Sequence, residues 1–101
     1  MVGGRDRVTY TFDKIENFLK NMRIASFEEE ISGKKNEELA FLKKCLSMLE
    51  PHEKDILIRT YTEGVSMRKY SIYSGYSRNF IAKTRKNTVE LLVRFFNLKY
   101  E

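Results

Sequence analysis

Arg78, Asn79, Lys83 and Lys86 recur at intervals that bring them to one side of a helix. Each can bond an anionic oxygen or the edge of a nucleobase. Arg and Lys donate to phosphates and guanine, and Asn offers a donor and an acceptor together. Ala82 shares that side. These residues lie in a stretch, Gly64 to Val89, that has no Asp or Glu. The stretch carries six basic residues: Arg68, Lys69, Arg78, Lys83, Arg85 and Lys86. Elsewhere 13 basic residues face 14 acidic ones, so the whole net charge of +5 arises here. A segment cleared of acids approaches a polyanion without self-repulsion, and a phosphate backbone is the expected partner.

Other chemistry finds little support. His52 and Cys45 are the sole residues of their types. A metal site would need carboxylates alone, and the spacing of a calcium loop is missing. Glu28, Glu29 and Glu30 are consecutive, so on a helix they point in different directions and do not form an acid–base pair. Gly3-Gly4 does not develop into a phosphate-binding loop. No catalytic residue, metal ligand or cofactor is assigned.

The positioning elements must come from a short chain. Its 101 residues make one small domain and leave no room for a large enclosed substrate cavity. A hydrophobic fraction of 42%, with 13% aromatic, is enough to fold. One cysteine excludes an internal disulfide and makes a reducing compartment the default. No apolar run reaches the length of a membrane span, and the first five residues lack the apolar core of a signal peptide. A cytoplasmic location and no membrane partner are expected.

Gly and Pro are scarce and apolar residues recur at three and four, which predicts an all-α protein. Residues 1–11 lack periodicity and read as a flexible arm. Residues 12–35 read as an N-terminal helical segment. Phe12, Ile15, Phe18, Leu19 and Met22 mark one face, continued by Ile24, Phe27 and Ile31, with a helix to Ile31 or a bend at Ala25-Ser26. Ser32-Gly33-Lys34-Lys35-Asn36 is the first break. Residues 36–101 read as one domain with four helices: Glu37 to Leu49, Pro51 to Glu63, Ser66 to about Ser74, and Arg78 to Asn97. Cys45 falls on an apolar face and reads as core. The last helix is more apolar in its second half, so its first half is expected to face outward. The apolar face of the N-terminal segment needs cover, either from this chain or from a second copy.

Within that domain, Ser66 to Ile81 reads as cap, short helix, glycine turn, cap, helix. Ser71 is small where two helices would cross. Gly75 supplies the turn conformation, Tyr76 fills the space beneath it, Ser77 caps the next helix, and Ile81 anchors that helix inward. From Leu46 to Leu92 the chain resembles region 4 of sigma-70-type factors. The resemblance rests on Leu49-Glu50-Pro51, Thr62-Glu63-Gly64 and Gly75-Tyr76-Ser77-Arg78, with Ile81, Thr84, Thr88, Val89 and Leu92 at the inward positions. Ser71 stands where that family usually has Ala, and Ala82 where it usually has a polar base-reading residue. In overall layout the chain is similar to small phage regulators of the ArpU/RinA type, with Tyr10 to Asn21 similar to their opening segment.

The resemblance implies a helix-turn-helix domain that binds double-stranded DNA and regulates transcription of phage, prophage or mobile-element genes. The helix beginning at Ser77 would enter the major groove. Arg78, Asn79, Ala82 and Lys83 are the candidates for base edges. Ser66, Arg68, Lys69, Tyr70, Ser77, Arg85 and Lys86 are the candidates for phosphates, which fix register without reading sequence. RNA polymerase and a second copy of the chain are further candidate partners. Two alternatives stand beside this expectation. One is the DNA-recognition subunit of a phage terminase, and the other is a sigma-like module that contacts RNA polymerase without reading DNA.

Overall fold

The computed structural model describes residues 9–22 and 33–100, and among them every regular element is helical. Helix α1 spans Phe12–Lys20, α2 Gly33–Ser47, α3 Pro51–Leu57, α4 Met67–Ser74 and α5 Arg78–Tyr100. A π-helical turn, Ile58–Thr62, prolongs α3. No helix among these residues is long and apolar enough to cross a membrane.

Helix α1 is nine residues long and could not hold its shape alone in water. Its ends are tied. The Thr11 hydroxyl accepts from the Lys14 backbone N–H at 3.2 Å, and Asp13 lies in the first turn, where a carboxylate favours the helix dipole. The helix ends at Lys20, so it does not run unbroken to Ile31, one of the two expected forms. The Ala25-Ser26 bend, Ile24, Phe27, Glu28–Glu30 and Ile31 lie outside the described residues. Ile15 and Leu19 are fully buried, so the apolar face of α1 is covered within the chain.

That cover is the larger of two clusters. It joins α1 to Leu42, Cys45 and Leu46 of α2, Leu57 and Tyr61 of the α3 segment, and Val89, Leu92 and Phe96 of α5. Truncating one such fully buried leucine typically costs about 2–5 kcal/mol. The smaller cluster joins Ile56, Tyr70 and Ile81, with Val65 and Met67 against it, and holds α4 to α3 and to the start of α5. Cys45 is core as expected, and burial raises its thiol pKa above the ordinary range.

Further boundaries differ from the sequence expectation. Residues 9–11, read as the end of an arm, are fixed by polar bonds with no sequence period. The Tyr10 ring is buried, its backbone N–H donates to Asn97 Oδ1 at 2.8 Å, and Asn97 Nδ2 donates back to the Tyr10 carbonyl at 3.0 Å. Helix α2 begins at Gly33, inside the expected break. Helix α5 continues to Tyr100, because Tyr100 joins the rings of Tyr10, Phe41 and Phe96.

The π turn was not foreseen either. Its wide ring is closed by Glu63 N–H donating to the Ile58 carbonyl at 2.9 Å. This turn delivers Tyr61 and Thr62 to α1. The Tyr61 hydroxyl donates to Glu16 Oε2 at 2.6 Å, and the Thr62 hydroxyl donates to the Leu19 carbonyl at 2.8 Å, an acceptor at the helix end.

Burial, followed by hydrogen bonding to a carboxylate, raises the pKa of the Tyr10, Tyr61 and Tyr70 phenols. Burial also raises that of Tyr100. In each case the folded value lies above the unfolded one, near 10. Their contribution to stability is therefore complete below about pH 10 and is lost as pH rises past it. An alkaline titration should show tyrosinate absorbance growing together with loss of helical circular dichroism. Ionisation of all six tyrosines with the helical signal intact would contradict this.

Candidate nucleic-acid interface

The short helix α4 starts at a serine cap. Ser66 Oγ accepts from the Lys69 backbone N–H at 3.1 Å, which leaves Arg68 and Lys69 exposed on the first turn. Gly75 closes the helix with φ of +87°, a conformation that glycine adopts without penalty. The three-residue turn is then pinned from both sides. Ser71 Oγ donates to the Tyr76 carbonyl at 2.5 Å, and the Tyr76 N–H donates to Ser74 Oγ at 3.2 Å. Ser77 Oγ accepts from the Phe80 N–H at 3.1 Å and caps α5. The small Ser71 thus serves as a polar strut for the turn.

Helix α5 divides as its composition predicted. In its first ten residues only Ile81 is buried, whereas Thr88, Val89, Leu92 and Phe96 are buried further on. Arg78, Asn79, Ala82, Lys83 and Lys86 are all exposed. At about 100° per residue they occupy an arc of about 140°, with Ile81 on the opposite side. The backbone of the helix start is held by Ile81 in the smaller cluster, so these side chains project from a supported element.

Two of the expected phosphate candidates have partners within the chain. Tyr70 is only 2% exposed and its hydroxyl donates to Asp55 Oδ2 at 2.5 Å, so it fastens α4 to α3 and cannot meet a phosphate. Burial and then the Asp55 carboxylate raise its phenol pKa well above the ordinary tyrosine range, keeping this donor protonated. Arg85 is half-buried with its guanidinium 4.1 Å from the centre of the Tyr61 ring, an arrangement that attracts a cation to the ring face. Both placements depend on long-range packing that spacing along the chain does not carry.

Tyr76 also departs from expectation. It remains 36% exposed and its ring lies against Phe80, centroids 5.0 Å apart, with His52 of α3 stacked on Phe80 at 6.0 Å. The isolated His52 thus belongs to a ring cluster, which its isolation in sequence did not suggest. An open groove of about 300 Å³ runs along the outer side of α3, lined by Pro51, Lys54, Asp55, Ile58, Arg59 and Glu63. Three of its charged groups are engaged with one another, since Arg59 pairs with Asp55 at 3.4 Å and with Glu63 at 3.1 Å. Among the described residues, no three His, Cys, Asp or Glu side chains converge where a metal could sit. No protein family, no curated protein and no solved structure matches this chain.

A Cβ built on Gly75 would meet nothing within 4 Å. Gly75→Ala should therefore cost only the left-handed backbone penalty, about 1–2 kcal/mol. Denaturant melting should show that loss, and Gly75→Asn should recover part of it because Asn tolerates this conformation better. An unchanged Gly75→Ala midpoint would mean that the turn is not held at positive φ.

Proposed function

We propose that the protein is a sequence-specific DNA-binding regulator of transcription, of the kind that phage, prophage or mobile-element genes use. In this reading α4, the Gly75–Ser77 turn and α5 act as a helix-turn-helix, and the exposed arc of α5 would enter the major groove. The observation that carries this reading is the single outward arc of Arg78, Asn79, Ala82, Lys83 and Lys86 on a braced helix start, within a segment without acids.

Arg78, Asn79 and Lys83 would meet base edges at the groove floor, beside the small Ala82. Lys86, with Ser66, Arg68, Lys69 and Ser77 at the two helix starts, would meet phosphates. Arg85 contributes positive field from its place over Tyr61 without leaving the protein surface. The likeness to sigma-70 region 4 supports the same geometry. Ile15 and Leu19 of α1 are buried within the chain, and the reading does not depend on a homodimer.

A second reading has its own observation. Ile72 and Tyr73 on α4 are 77% and 70% exposed, an apolar pair on the surface of a small domain. A sigma-like module that contacts RNA polymerase without reading DNA would use such a pair. Copurification with polymerase and no DNA affinity at low salt would favour it.

The test is DNA binding as a function of salt, with random duplexes and with fragments from the gene's own neighbourhood. Affinity should fall steeply with salt and prefer one fragment. Arg78→Ala should cost about 1–3 kcal/mol on the preferred fragment and relax its selectivity. Lys86→Ala should weaken all duplexes alike and reduce the salt slope by about 1. Wild-type affinity in both variants would overturn the site assignment.

A further inference from the structure

His52, Tyr76 and Phe80 form a ring cluster beside the basic arc of α5. His52 and Phe80 are stacked with an interplanar angle of 27°, and Tyr76 meets Phe80 at 40°. Neither apolar cluster includes these rings, and Phe80 and Tyr76 remain 40% and 36% exposed. Phe80 lies about 60° beyond Lys83 around the helix, so the rings border the arc on its Lys83 side. The patch is wholly aromatic. A ligand that brings both negative charge and a flat π-face fits such a neighbourhood better than an apolar peptide does.

We propose that this cluster is a stacking platform for one nucleobase displaced from the duplex beside the groove contact. The proposal rests on the DNA-binding reading and adds a preference for an unpaired or extruded base. Charge orients the strand. Glu50 and Glu53 stand at the start of α3 next to His52, where Glu53 Oε1 accepts from the Glu50 N–H at 3.0 Å. These carboxylates repel phosphate from the His52 end. The backbone therefore follows Lys83, and only the base reaches the rings. Stacking is indifferent to base identity, because every base has a π-face, so the platform adds affinity without adding sequence.

The experiment compares a duplex with the same duplex carrying one extrahelical adenine, at low salt. Wild type, Phe80→Leu and Tyr76→Leu are measured side by side. Leucine keeps apolar bulk and removes the ring, and circular dichroism checks that each variant is folded. The wild type should bind the bulged duplex about tenfold more tightly. Both leucine variants should lose that preference while binding the plain duplex as before. Equal wild-type affinity for the two duplexes overturns the platform and leaves DNA binding standing, with the rings then assigned to a protein contact. A preference that survives both substitutions also overturns it. Failure of the wild type to bind either duplex removes the DNA-binding reading itself, and the platform with it.

Discussion

Ile56 and Leu57 are neighbours on α3, both fully buried, and they enter different clusters. Leu57 joins the large cluster built from α1, α2 and the second half of α5. Ile56 joins Tyr70 and Ile81 in the small one. This pair is the mechanical joint of the domain. It couples the body that supplies most of the buried apolar surface to the small unit that presents the basic arc. Helix α5 makes the same connection from the other side, with Ile81 in one cluster and Val89 in the other. A continuous helix that is rooted at both places cannot swing at its exposed end without opening one cluster.

The polar contacts extend that logic. The small cluster has three fully buried members and little apolar surface of its own, so its alignment relies on directional bonds. Tyr70 to Asp55 fastens α4, and the Ser66 and Ser77 caps with the Ser71 strut fix the turn. Each such bond contributes about 1 kcal/mol net, so together they match the burial of one or two large apolar side chains. The serine-rich, acid-poor composition of this stretch is thus structural and electrostatic at once. It closes the turn without placing a negative charge near the basic arc.

Local signals are legible in the sequence, and long-range polar contacts are not. The α3–α5 order, both serine caps, Gly75 and Ile81 were legible because capping and left-handed turns depend on residues within a few positions. The division of α5 into an outward and a packed half followed from apolar spacing. Tyr10 was missed because its partners, Asn97 and Glu38, lie 87 and 28 residues away and show no period. The place of Tyr70 in the first turn of its helix, and of Arg85 in the basic stretch, points outward, yet both turn to partners on the α3 segment. The π turn escaped because one extra residue per turn leaves no mark in the apolar pattern. The outward residues of α5 are legible as a face from their helical spacing.

The most direct measurement is backbone amide chemical-shift perturbation of the isotope-labelled protein on addition of duplex DNA. Shifts should concentrate at Ser66–Lys69 and from Ser77 to Lys86, with α1 and α2 little changed. Perturbation centred on α1 or α2, or none at all at low salt, would contradict it.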